Sequence, residues 1–381
     1  MSLRAKRGNP KMTELEQHLL AIIQDAFPLE ERPYLRLAEM LNARGAGENA
    51  GGPFSEQQVF EAVENLRNSG VIRRIGGVYD SKALGFISRL CAGKVPVVAT
   101  GASDDLALDK FAAAVDAVPA ITHNYVRSHD YNVWFTVIAE NEAEVKNVVD
   151  SLCAETALHD VHILSVTKKF KINTVMGGAG ARNHGLSLRT VNSEPAASEA
   201  CNPDLSLRAK CNEAKQSRAR VLSTDDRARI RVACTDIPHT LTPFRDWGVS
   251  IEDLCNDLAQ KRMRRFGAIL RHQEAGFAYN AMVCFAERVD AGKSEIESGA
   301  VLAKKPYISH CYERPAFEGF PYTLYAMMHA QSAAELDRYI KDASASIDNP
   351  DYAVLHSVRE LKKTSFVFFS RKNAHGPVNR A

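Results

Sequence analysis

The sequence predicts an α+β fold of two tandem units, each a winged helix-turn-helix followed by a ferredoxin-like βαββαβ domain. Three observations predict it. Arg73-Arg74-Ile75-Gly76 and Gly85-Phe86 return as Arg264-Arg265-Phe266-Gly267 and Gly276-Phe277, displaced by 191 residues. Ile121-Thr122-His123-Asn124-Tyr125-Val126-Arg127 returns as Ile308-Ser309-His310-Cys311-Tyr312-Glu313-Arg314 at 187, and after a four-residue insertion Tyr131–Ala139 aligns with Tyr322–Ala330 at 191. Matched blocks in one order signal duplication better than composition does. Between the halves, residues 177–220 hold no aromatic, Ile or Met, too little apolar surface to offset ordering entropy.

The first half opens with an apolar-periodic helix near Glu14–Ala26. A second helix follows Pro33, through Leu35, Leu37, Met40 and Leu41. The glycine-rich loop Gly45–Gly52 precedes Ser55, a helix N-cap, and the third helix runs to about Asn68 and stops at Gly70. Val71–Tyr79 reads as a short hairpin, the wing. A strand near Arg89–Val95, a helix near Asp104–Ala117, strands near Ile121–Arg127 and Tyr131–Ile138, a helix near Glu142–Cys153 and a strand near Asp160–Val166 complete the unit. The order βαββαβ gives an antiparallel sheet with helices on one face. The second half repeats it, with helices in Asp225–Ala259, a wing near Met263–Leu270 and strands and helices through Val358; its winged helix is shorter. The expected limits are an arm at 1–12, winged helices at 13–86 and 224–276, ferredoxin-like domains at 87–176 and 277–369, a linker at 177–223 and a tail at 370–381.

Composition bounds the function. With 45% hydrophobic and 25% charged residues, the chain is ordinary globular protein. No apolar run reaches the length of about eighteen residues that a membrane helix needs. The basic N-terminus, with Arg4, Lys6, Arg7 and Lys11, is followed by no apolar core of a secretory signal. A net charge of +2 argues against a dedicated nucleic-acid binder. The eight cysteines form no CxxC pair, so neither a zinc site nor a disulfide framework is expected, and a cytoplasmic location is. Neither GxGxxG nor a P-loop is present.

The repeated strand block carries the chemistry. Period-two alternation puts His123, Tyr125 and Arg127 on one face, and His310, Tyr312 and Arg314 likewise. Such a polar row, present twice, is hard to explain as core. Cys311, between His310 and Tyr312, points to the other face and is given a structural role. Arg73, Arg74, Arg264 and Arg265 sit in the wings, either as a solvated basic surface or as carboxylate contacts, and Arg271 and His272 share that ambiguity. His329 is a packed histidine or a second ligand. Tyr131 and Trp134 read as core or interface.

A winged helix followed by a ferredoxin-like domain resembles the Lrp/AsnC regulators. A helix that reads DNA needs donors and positive charge. Ser55–Asn68 carries Glu56, Glu61 and Glu64 against Arg67, and Ser250–Gln260 carries Glu252, Asp253 and Asp257 with no cation. Nucleic acid is therefore disfavoured, though Lys261, Arg262, Arg264 and Arg265 flank the second helix.

The signature blocks are similar to the two subunits of sirohaem decarboxylases, which share the Lrp/AsnC architecture. Phe27-Pro28-Leu29-Glu30-Glu31-Arg32-Pro33-Tyr34, Arg73–Phe86, His123-Asn124-Tyr125 and Tyr131-Asn132-Val133-Trp134-Phe135 resemble the first subunit. Arg264–His272, His310-Cys311-Tyr312-Glu313-Arg314-Pro315 and Pro321-Tyr322 resemble the second. The resemblance spans about residues 13–175 and 224–369. The chain departs in being fused, in the Gly45–Gly52 loop and in the short second winged helix.

The resemblance implies a carboxy-lyase that removes two acetate carboxyl groups from sirohaem, giving didecarboxysirohaem on the alternative route to haem. It implies an iron tetrapyrrole substrate, no cofactor beyond the iron that substrate carries, and an intrachain pseudo-dimer compatible with a further homo-oligomer. Arginine suits the carboxylates because its fork bonds both oxygens. Arg127 and Arg314 would grip them, with Arg73, Arg74, Arg264, Arg265 and Arg271 as further contacts, and Tyr125 and Tyr312 would orient the reacting group. His123 and His310 are candidates for general acid or axial iron ligand, His329 less so for the latter; imidazole serves both roles. The alternatives are an Lrp/AsnC-type regulator and a tetrapyrrole sensor or carrier without chemistry.

Overall fold

The computed structural model describes residues 12–46, 52–96, 106–172, 222–271, 277, 279–286, 295–348 and 351–370. Nearly all of the expected arm, linker and tail, and His272, lie outside the described residues.

Three helices open the chain: α1 (Glu14–Ile23), α2 (Pro33–Asn42) and α3 (Glu56–Asn68). Thr13 with Glu16, and Ser55 with Gln58, form reciprocal capping boxes that satisfy the first turns of α1 and α3. Then come β1 (Ile72–Tyr79), β2 (Ile87–Lys94), α4 (Leu106–Ala117), β3 (Ile121–Arg127), β4 (Val133–Ala139), α5 (Glu142–Glu155), β5 (His159–Leu164) and β6 (Lys168–Ile172). The second half contains α6 (Thr224–Ala233), α7 (Pro243–Trp247), α8 (Ile251–Ala259), β7 (Met263–Leu270), β8 (Tyr279–Ala286), α9 (Glu295–Lys304), β9 (Ile308–Glu313), β10 (Tyr322–Ala330), α10 (Ala333–Ile347) and β11 (Tyr352–Lys363).

Two compact units form, and each draws on both halves of the chain. One gathers the described residues up to Asp80, those from 222 to Arg271, and Val367–Phe369. In it β1 pairs antiparallel with β7, Gly76 opposite Gly267. The hairpin expected at Val71–Tyr79 does not form; the wing is one strand from each half. Gly76 and Gly267 are needed there for close approach. A Cβ on Gly76 would stand 2.3 Å from the Thr235 carbonyl oxygen, and one on Gly267 2.6 Å from that of Ile23.

The acidic third helices are partly spent inside this unit. Asp257 on α8 is fully buried, accepts from Tyr79 Oη and Arg262 Nε at 2.8 Å each, and pairs with Arg229. Arg67 on α3, its side chain 5% exposed, pairs with Asp236 of the other half at 2.6 Å. The only cation of α3 is therefore already committed within the fold.

The second unit is a nine-stranded sheet of order β5-β2-β4-β3-β11-β8-β10-β9-β6. Each half supplies a ferredoxin-like quartet, β5-β2-β4-β3 and β11-β8-β10-β9. The quartets exchange ends. β11 pairs with β8 through Tyr352–His356 and continues beside β3 from Ser357 to Lys363, while β6 continues from the first half to pair with β9. The sequence had shown neither β6 nor this exchange. Two apolar cores form under the helices, one around Phe111, Phe135 and Val137, the other around Val283, Phe285 and Ala326. A third cluster, including Trp134, Leu164, Met282, Phe320, Tyr325 and Leu355, takes residues from both quartets.

Exchanged lysines complete helix ends. Lys362 Nζ donates to the carbonyls of Val115, Asp116 and Val118 at 2.8–3.2 Å, at the C-terminal end of α4. Lys171 Nζ donates to Lys305 O at 2.7 Å, just past α9. Val115 O, Val118 O and Lys305 O also accept the backbone N–H of Val118, Ile121 and Ile308, so each lysine adds a charged donor where the helix dipole is negative. Cys91, Cys153, Cys234, Cys284 and Cys311 are free thiols, but Cys255 is disulfide-bonded, which the cysteine spacing did not suggest.

Candidate functional site

The two polar rows lie on β3 and β9, with β11, β8 and β10 between them in the sheet order. Their local geometry repeats. Thr122 Oγ1 meets His123 Nδ1 at 2.9 Å, and Ser309 Oγ meets His310 Nδ1 at 2.9 Å. The Arg127 guanidinium lies over the Tyr125 ring at 5.1 Å and that of Arg314 over Tyr312 at 5.2 Å, within cation–π range. His123 is exposed, His310 half-buried and stacked on Tyr312, and both arginines are buried.

The arginines cross between halves. Arg127 Nη1 donates to Leu355 O at 3.0 Å and Ser357 Oγ at 3.2 Å. Arg314 Nη1 donates to Leu164 O at 2.9 Å and Ser165 O at 3.4 Å. Neither forms an ion pair among the described residues, and the Nε of each is buried without an acceptor. Burial pushes Arg127 down to about 10 and lowers Arg314 as well, because charge is disfavoured where water is excluded. A buried cation with no counter-ion is costly unless an anion arrives.

The halves then diverge. Across from His310 stands Met327, where Thr136 faces His123. Two residues further, His329 is paired with Asn280, where Ile138 is paired with Ser88. At these matched positions the second half therefore carries two histidines, on adjacent strands, and the first half one. Burial pushes His329 down to about 3, helped by its neighbours His310 and Arg127, so its imidazole is neutral near pH 7. Arg127, though it comes from the first half, reaches this second-half row: its Nη2 lies 3.8 Å from Met327 Sδ, and Ser357, which accepts from its Nη1, donates to Asn280 Oδ1. Asn280 and Ser357 lie outside the repeated blocks, and Met327, though inside one, is matched there by Thr136, so none of the three was visible to sequence reasoning. Only the alternation of Asn280, Met282 and Cys284 along β8 hinted that Asn280 shares a face with the site.

The wing arginines belong to the other unit. There Arg74 donates to Thr235 O and Gly77 O, and Arg265 to Gln24 O and Ala268 O. Burial pushes both down to about 10. Arg264 donates to Tyr79 O, and Arg73 and Arg271 flank the same ladder. The structure brings Arg127, His310 and His329 together, and keeps His123 with Tyr125 and the Thr122 hydroxyl.

Trp134 and Tyr131 pack in the shared cluster, Trp134 Nε1 donating to Tyr131 O at 2.7 Å. The four-residue insertion brings Phe317 to 4.9 Å and Phe320 to 6.3 Å from the Tyr131 ring. Cys311 is buried in the core under the second-half helices. A cavity of about 660 Å³ lies along α5 and β5, lined by Arg89, Glu142, Lys146, Asp150 and Asp160 among others, and none of the row residues borders it.

Comparison with known proteins adds to this geometry. A family profile described as AsnC-like ligand binding domain matches residues 83–171 and 274–362. A profile described as siroheme decarboxylase NirDL-like HTH domain matches residues 16–46. A "Siroheme decarboxylase" of Hydrogenobacter thermophilus is 28% identical over 93% of this chain and 95% of its own length. A "Siroheme decarboxylase alpha subunit" of Desulfovibrio desulfuricans is 39% identical over 42% of this chain and 82% of its own length. The crystal structure of a siroheme decarboxylase NirDL aligns over 95% of this chain and 96% of its own, at TM-score 0.59 and 25% identity. One in co-complex with an iron-uroporphyrin III analogue shares the fold at TM-score 0.58 and 24% identity, over the same shares of both chains.

Proposed function

This chain belongs to the sirohaem decarboxylase family, and on that premise we propose that it removes two acetate carboxyl groups from sirohaem as CO2, giving didecarboxysirohaem with both subunit types fused in one polypeptide. One observation carries the assignment to this part of the fold: Arg127, buried and without a carboxylate partner among the described residues, reaches from β3 to Met327, which stands opposite His310 and two residues before His329. A cation in that state suits a polycarboxylate ligand, and the adjacent imidazoles suit proton transfer.

The chemistry follows from the residues. Loss of CO2 leaves an electron pair on the methylene carbon beside the pyrrole, and the macrocycle delocalises it. A proton must then reach that carbon. His310, half-buried, is the donor we assign; His329, held neutral, serves as a polar neighbour. Arg127 would hold a carboxylate, and Tyr312 lines the same face. His123 remains a candidate general acid or ligand of the substrate's iron, as does His310. Among the described residues no helix is long and apolar enough to cross a membrane, and we place the enzyme in the cytoplasm.

Anaerobic incubation with sirohaem, followed by mass spectrometry, tests the function. Loss of two carboxyl groups is expected; spectral binding with unchanged mass would leave a sensor or carrier. The site predicts unequal histidines. His310→Ala should lower kcat by about a hundredfold or more, and His123→Ala by much less. Equal effects, or none, would show that the second-half row is not the reaction site.

A further inference from the structure

Arg127 and Arg314 occupy repeated positions, yet they are tethered differently. Arg314 Nη1 is held by two backbone carbonyls, Leu164 O and Ser165 O. Arg127 Nη1 divides between one carbonyl and a side chain, Ser357 Oγ. Ser357 stands directly opposite Arg127 in the β3–β11 ladder. The register shifts there, between Ser357 and Arg359, which places Ser357 beside an irregularity of the kind that re-aims side chains near functional sites. Its hydroxyl donates to Asn280 Oδ1. Asn280 is 6% exposed and is the cross-strand partner of His329. A chain Arg127–Ser357–Asn280 thus runs from the buried cation to the strand beside the histidine pair.

This chain orients one edge of the guanidinium. With Nη1 engaged, the Nε–Nη2 edge is left, and two parallel N–H donors on that edge are what a carboxylate accepts side-on. Nε has no acceptor, and Nη2 meets only the thioether Met327 Sδ, a weak acceptor, among the described residues. Arg127 is 5% exposed, so this free edge is enclosed and not turned to solvent.

We propose that Asn280 and Ser357 are positioning residues that hold the Nε–Nη2 edge of Arg127 ready for a substrate carboxylate, making Arg127 the specificity anchor of the site. This rests on the decarboxylase reading above. Orientation is the effect: without the Ser357 hydroxyl, the guanidinium rotates to share its donors with carbonyls, and the fork is lost.

The test uses the full-length chain. Sirohaem affinity is measured by anaerobic absorbance titration, turnover by product mass, and stability by thermal unfolding, for wild type, Ser357→Ala, Ser357→Thr and Asn280→Ala. Ser357→Ala and Asn280→Ala are expected to raise Kd and KM by about tenfold while kcat changes less and the melting temperature stays near wild type. Ser357→Thr, which keeps the hydroxyl, should restore affinity. If Ser357→Ala unfolds, Asn280→Ala reads the same tether from its other end. Wild-type affinity in both deletions, with wild-type turnover intact, would overturn the positioning role alone. A wild-type chain that neither binds nor converts sirohaem would overturn the reading beneath it.

Discussion

At the scale of single residues, burial decides which groups are chemical and which are structural. His329 is pushed from an ordinary 6.5 to about 3. The unfolded chain therefore takes up a proton there, between pH 6.5 and 3, that the native state refuses. Its contribution to stability is present above pH 6.5 and lost as pH falls. His329→Leu should flatten the acid limb of the stability curve, with the difference from wild type reaching roughly 3 kcal/mol near pH 4; urea titrations at several pH values read it. Asn124 makes the complementary case. It is fully buried with both amide atoms unpartnered, and its repeat counterpart is the apolar-packed Cys311. Asn124→Leu should raise stability by about 1–3 kcal/mol, because no hydrogen bond is lost and a desolvation cost is removed. A loss of stability in chemical denaturation would mean that the amide has a partner in solution.

At the scale of elements, the exchanged strands carry their helix caps with them. Lys362 donates to three carbonyls at the end of α4 and Lys171 to one beyond α9. Lys362→Met should therefore destabilise more than Lys171→Met, by about 2 kcal/mol against about 1; reversal of that order in thermal unfolding would discount the caps. These elements also show where sequence reasoning stopped. Helices α1 to α3 were legible from apolar spacing and, for α3, from Ser55, whose capping is local; the Thr13 cap of α1 was not read. The strands of both quartets were legible from alternation. The pairing of β1 with β7 was not, since Gly76 and Gly77 look alike in a turn and in a close contact. Nor were the exchange of β6 and β11 or the Arg127–Ser357–Asn280 chain, because partners between 77 and 230 residues away leave no local trace. The His-Tyr-Arg rows were visible only because they occur twice; His329 and Ile138 differ, so the asymmetry that singles out the second half required the register.

At the scale of the whole molecule, duplication has become interleaving. Neither unit is made from one half, and the covalent connection between halves holds them at high local concentration. A chain cut between residues 178 and 221, with the two pieces co-expressed, should purify as one complex and retain sirohaem turnover. Pieces that fold and behave as separate monomers would contradict the strand exchange.

The β3–β11 ladder also sets the order in which the protein can be made. Ser357 must find Arg127, about 230 residues earlier in the chain. While the ribosome is still building the second half, β3 emerges as an unpaired sheet edge, and β1 lacks β7. Such edges invite pairing with other nascent chains. The first half must remain an incomplete intermediate until β11 has been made, so slow translation of the segment between the halves prolongs its most aggregation-prone state.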